Sequence, residues 1–97
     1  MGIELIPRDP GGSTLYYSWE GWRWIRELAK ADGISPGELA ESNDGDEISP
    51  ATCRALAAAI ESHQEEYNKI FAGAYYGRTP ARKHARIWRE ADGFEQW

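Results

Sequence analysis

Ser49-Pro50-Ala51-Thr52-Cys53-Arg54-Ala55-Leu56-Ala57-Ala58-Ala59-Ile60 is the stretch on which the fold turns. Its serine hydroxyl can accept from the free N–H groups of a first helical turn, and its proline sits where a helix has no hydrogen bond to lose. The run Ala55 to Ala59 consists of strong helix formers. At 100° per residue Cys53, Leu56, Ala57, Ile60, Tyr67, Phe71 and Ala74 fall within one narrow arc. That spacing predicts a single long helix that continues past residue 70, with Gly73 or Gly77 ending it.

The same punctuation recurs on both sides. Ser18 caps a helix that ends at Gly33, with Trp22, Ile25, Leu28 and Ala29 on its inner side and Trp24 at the edge. Trp19, Arg23, Arg26 and Lys30 lie on the opposite side. Thr79-Pro80 opens a third helix, with Ala81, Ala85, Trp88 and His84 facing inward and Gly93 following it. Ser35-Pro36-Gly37-Glu38 fits a capping box and predicts a helical turn or two over Pro36 to Glu41. Asn43-Asp44-Gly45-Asp46 reads as a turn. Ile3 to Ile6, stopped by Pro7, and Thr14 to Tyr17 are β-prone and can pair as a ribbon, and Phe94 to Trp97 can add a terminal strand. The fold expected is one α-dominated α+β domain over residues 1–97. Three main helices surround one core, with a small antiparallel ribbon or sheet built from the terminal segments. Trp22, Ile25, Leu28, Leu56, Ile60 and Trp88 form its centre.

Composition bounds the function. The 97 residues include five Trp, five Tyr and two Phe, more ring area than so small a core can hide. A single cysteine, Cys53, rules out an internal disulfide framework and points to a reducing compartment. No apolar run is long enough to span a bilayer, and Met1-Gly2-Ile3-Glu4 lacks the features of a signal peptide, so the expectation is a cytoplasmic protein without membrane attachment. The net charge of −5 disfavours direct binding to nucleic acid. The charge is uneven: residues 69–97 carry six Lys or Arg against three acids, a local +3, and residues 1–68 carry five against thirteen, a local −8.

Catalytic and metal-binding patterns do not emerge. Aligning Gly45 with the obligatory glycine of a calcium loop puts Ala40 and Ala51 at the terminal ligand positions. His63 and His84 lack a partner at metal-ligand spacing, and the glycines match neither a P-loop nor a dinucleotide fingerprint. Cys53 lies on the apolar arc as a small hydrophobe, and Ser18 and Ser49 are helix caps. The sequence therefore points to a non-enzyme with no catalytic residue, metal or cofactor.

Two surfaces stand out. Arg82, Arg86 and Arg89 cluster along the third helix with Arg78 leading in, and guanidinium groups there suit phosphates or carboxylates, although the simpler account is a solvated helix face, and docking against the acidic stretch of the same chain is another. Trp19 projects beside Arg23, within cation–π reach, the competing reading being a staple under the ribbon. Trp19, Arg23, Arg78, Arg82, Arg86 and Arg89 are the candidate partner-binding residues, and Glu38, Glu41, Asp44, Asp46 and Glu47 form the alternative, acidic surface.

With Tyr17-Ser18-Trp19-Glu20-Gly21-Trp22-Arg23-Trp24 opening a helix, Asn43-Asp44-Gly45 before Ile48-Ser49, and Gly93-Phe94 near the end, the chain resembles short bacterial and prophage proteins. The resemblance bears on the fold and brings no activity with it. Together with size and charge it implies a small protein-binding module, in one form a phage- or prophage-encoded inhibitor of a bacterial defence complex, of the anti-CRISPR type. The alternative is a small-ligand or nucleic-acid-binding accessory domain that uses the arginine face of the third helix.

Overall fold

The computed structural model describes residues 2–41, 44–73 and 76–97. In chain order the elements are β1 (Gly2–Pro7), β2 (Leu15–Ser18), α1 (Trp19–Ala31), a 3₁₀ turn (Pro36–Glu38), β3 (Asp46–Ile48), α2 (Pro50–Ser62), α3 (Gln64–Phe71), α4 (Pro80–Glu90) and β4 (Phe94–Gln96). The four strands form one antiparallel sheet in the order β2-β1-β4-β3. The architecture is the helix-dominated α+β fold that the sequence predicts.

Alternation along the strands sorts the sheet into two faces. Ile3, Leu5, Leu15, Tyr17, Ile48 and Phe94 are buried on one of them, beneath the helices. Trp22, Ile25, Leu28, Leu56, Ile60 and Trp88, the residues expected at the core's centre, are all buried there too. Cys53 is buried with them, and burial raises its thiol pKa to about 11, which keeps it protonated.

The caps follow local chemistry where a hydroxyl is at hand. Ser18 Oγ accepts from Gly21 N–H at 3.0 Å and Ser49 Oγ from Thr52 N–H at 3.2 Å. Thr79 makes no such bond; the Asn68 side-chain oxygen, from α3, accepts from Ala81 N–H at 2.8 Å instead. The capping box at Ser35 is not formed either. Its side chain makes no cap bond, and Glu38 turns to α2, where its carboxylate accepts from the Thr52 hydroxyl at 3.1 Å.

The single long helix is corrected to two. His63 leaves the helical region, with φ −127° and ψ 38°, and separates α2 from α3. Between Ile60 and Tyr67 every side chain is polar, so no core contact holds that turn straight, and the break lets Tyr67 and Phe71 pack against Tyr17. Asp46, expected within a turn, opens β3, and of the residues in question Asn43 and Ala74 lie outside the described residues.

Candidate interaction surfaces

On the second face of the sheet Glu4, Ile6, Tyr16 and Glu47 are exposed, and no helix among the described residues covers them. By the register, Glu4 pairs with Tyr16, Ile6 with Glu95, and Glu47 with Glu95. One residue further, Trp97 N–H donates to the Glu4 carbonyl at 2.7 Å, and the Trp97 ring lies over Gly45, where an added Cβ would meet it at 2.8 Å. Two cross-strand rows result, Tyr16, Glu4, Trp97 and Ile6, Glu95, Glu47. Ile6, Tyr16 and Trp97 are 39, 47 and 49% exposed, and they are three of the four large apolar side chains left exposed among the described residues. Their carboxylate neighbours include a like-charged pair set directly opposite, Glu47 and Glu95, an arrangement that costs stability. Arg8 approaches Glu47 at 3.9 Å, and Trp97 Nε1–H donates to Glu95 at 3.2 Å.

At the β2 edge of the sheet two adjoining clefts run along α4. The first, of about 320 Å³, lies against strand β2 and includes Tyr16, Tyr76 and His84 in its walls. The second, about 680 Å³, is lined by Arg78, Arg82 and Arg86, and the two share Tyr76, Lys83 and Ile87. Arg78, Arg82 and Arg86 form no ion pair with another described residue. Arg89 is turned away and pairs with Glu61, which lowers the Glu61 carboxyl pKa. The Tyr76 hydroxyl donates to the Tyr16 carbonyl at 3.0 Å and so ties the cleft wall to the strand.

Behind the first cleft runs a buried chain of hydrogen bonds. Trp88 Nε1–H donates to the Tyr17 hydroxyl at 3.0 Å, Tyr17 and Tyr67 hydroxyls meet at 2.7 Å, and Tyr67 bonds His84 Nδ1. An indole N–H can only donate, so Tyr17 accepts from Trp88, while either tyrosine hydroxyl can donate to the other. Each proton of the chain has an acceptor within it when Tyr17 donates to Tyr67 and Tyr67 donates to Nδ1. His84 is neutral in this arrangement and carries its proton on Nε2. Burial is the first cause of its lowered pKa, about 4, and the neighbouring Lys83 charge the second; burial likewise raises Tyr17 and Tyr67.

The expected partner-binding residues are thus divided. Arg78, Arg82 and Arg86 share one groove, Arg89 is in an ion pair, and Trp19 and Arg23 line a separate cleft with Arg26 and Glu41. Trp19 does not project freely: its ring is partly buried against the core, as the staple reading requires. The acidic stretch is divided as well. Glu41 pairs with Arg26 at 3.1 Å, Glu38 holds Thr52, Asp44 is exposed, and Asp46 and Glu47 belong to β3. Among the described residues Glu41 pairs with Arg26 and Glu47 with Arg8, and neither pairs with an arginine of α4.

Sequence reading missed the open sheet face and the Tyr17, Tyr67, His84 chain. The alternation Glu4, Ile6 was the one available signal for the face; the chain joins residues 50 and 17 positions apart and leaves no local trace. Among the described residues no group of three or more His, Cys, Asp or Glu could hold a metal, and no helix is long and apolar enough to cross a membrane. Chelation with EDTA is accordingly expected to leave the melting temperature unchanged; a fall of several degrees would expose a structural metal. No protein-family model, curated protein or solved structure matches the chain.

Proposed function

We propose that the protein is a non-enzymatic protein-binding module that docks through the open face of its sheet onto a basic surface of a partner. The observation that carries this reading is the combination on one uncovered face of Ile6, Tyr16 and Trp97 with Glu4, Glu47 and Glu95. Aromatic and aliphatic side chains left in solvent supply the apolar centre of an interface, and the carboxylates around them supply its orienting charge. A second copy of the chain is a poor occupant, since two such faces would bring like charges together on a protein whose net charge is −5. Lys or Arg from a partner would instead relieve the Glu47 and Glu95 opposition. The specific form is an inhibitor of the anti-CRISPR type, with the acidic face covering a surface that otherwise grips nucleic acid.

The partner captured from the source cells provides the test. Ile6→Asp and Trp97→Ala are each expected to weaken its binding at least tenfold, about 1.4 kcal/mol, with the melting temperature unchanged. Competition by duplex DNA or RNA for the same partner is the expected signature of the inhibitor form. Normal binding by both variants, or losses confined to Trp19→Ala and Arg86→Glu, would move the contact to the surface first suggested by the arginines.

A further inference from the structure

We propose that the groove between α4 and the edge strand β2 binds a small phosphorylated ligand whose planar ring lies beside Tyr76 and whose phosphate meets Arg82 and Arg86. Three independent features lead to this chemistry. The first is charge. Arg78, Arg82 and Arg86 line the wider cleft without an ion-pair partner among the described residues, and Lys83 borders both clefts. On a chain with a net charge of −5, unpaired cations gathered at one groove form a local anion site, and forked guanidinium donors match phosphate oxygens in pairs.

The second feature is a donor with a fixed direction. His84 is only 5% exposed, its Nδ1 accepts from Tyr67, and its ring forms part of the narrower cleft. The hydrogen-bond chain from Trp88 leaves the proton on Nε2, and no described residue accepts it. A carbonyl oxygen or ring nitrogen of a ligand would. The third is shape: Tyr76 gives an aromatic wall, Ile87 gives an apolar one, and the two clefts have the size of ordinary small-molecule sites. Stacking on a tyrosine suits a flat ring, so the ligand places its acceptor-bearing ring at the His84 end and its phosphate at the arginine end.

Adenosine and uridine 5′-monophosphate serve as probes for the purified protein, with inorganic phosphate and the unphosphorylated nucleosides as comparisons. Calorimetric titration is expected to give saturable binding of at least one nucleotide, with a Kd below about 1 mM that weakens steeply with salt. Arg82→Ala combined with Arg86→Ala, both exposed positions, is expected to weaken it at least tenfold, and Tyr76→Ala likewise. In ¹⁵N-edited spectra the Nε2 resonance of His84 should move on binding, a readout that needs no substitution in the core. Absence of binding by either nucleotide, equal affinity for inorganic phosphate, or binding that leaves His84 unmoved would overturn the proposal. So would a polyglutamate peptide that displaces the nucleotide with higher affinity, since that would make the groove a protein contact.

Discussion

Replacing Leu56 by alanine is expected to cost about 2 to 5 kcal/mol of folding stability, and Ile60→Ala a similar amount. Both side chains are completely buried on α2 and belong to the core cluster formed with Trp22, Ile25 and Trp88. Truncation removes several methyl and methylene groups from contact and leaves a void lined by rigid neighbours. The two largest side chains of that cluster are held in place, Trp22 through its Nε1–H to the Ala40 carbonyl at 2.8 Å and Trp88 through Tyr17 at 3.0 Å, so the core has little freedom to collapse into a void. In a domain whose whole stability is of the order of 5 to 15 kcal/mol, either variant should show a much lower urea midpoint with an unchanged slope. The exposed Ala58 on the same helix is the control, since Ala58→Ser there should change the stability by only about a few tenths of a kcal/mol. Losses below about 1 kcal/mol at both Leu56 and Ile60 would mean that α2 does not present this face to the core.

What was legible in the sequence is what local chemistry decides. Ser18 and Ser49 start helices because a hydroxyl in that position satisfies an N–H of the first turn, and the arcs through Trp22 and Leu56 mark the buried sides because a 3.6-residue period admits one core-facing stripe. Thr79-Pro80 marked a start for a partly different reason: proline fits the first turn, but the free N–H of Ala81 is met by Asn68, a tertiary partner. The break at His63 was invisible because Ile60 and Tyr67 are seven residues apart, a separation that keeps both on one stripe whether the helix continues or restarts. β3 was invisible because Asp46-Glu47-Ile48 has little strand character of its own and becomes a strand by pairing with β4. Trp19 was misplaced for a related reason. Its helical angle puts it with the charged residues, but it is the first residue of α1, directly after β2, and there it packs on the core. Candidate surfaces were hardest to read, because an open sheet face and a groove are properties of which elements cover which. The arginines of α4 were visible from their spacing, whereas the ion pair that removes Arg89 from the group depends on where α2 puts Glu61.

Acidification from pH 7 to pH 4 is expected to remove about 3 kcal/mol of stability through His84 alone, a loss that His84→Gln should abolish. The imidazole pKa falls from an ordinary 6.5 to about 4 in the fold, chiefly because burial penalises the cation and secondly because Lys83 is close. The sign follows from the depressed value. Above pH 6.5 the ring is neutral both folded and unfolded, and the contribution is intact. Between 6.5 and 4 the unfolded chain takes up a proton that the folded chain refuses, so stability declines as pH falls, and below 4 both states are protonated and the decline ends. The hydrogen-bond chain gives the structural reason. A proton on Nδ1 would reverse the bond to Tyr67, Tyr67 would then donate to Tyr17, and Tyr17, which already accepts from Trp88, would have a buried hydroxyl proton with no described acceptor. The groups surrounding the ring are the tyrosines 17, 67 and 76 and the Lys83 ammonium; none is a carboxylate that would welcome the cation. Glutamine at position 84 can accept from Tyr67 through its carbonyl and donate through its amide without titrating, so it preserves the chain and removes the proton linkage. Urea unfolding of both proteins at pH 7.5, 5.5 and 4.5 separates this effect from the carboxylates, whose contribution is common to the two. The stability difference between them should change by about 2.5 kcal/mol across that range. Parallel pH curves would mean that His84 accepts its proton without disturbing Tyr17 and Tyr67, and that the order assigned to the buried chain is wrong.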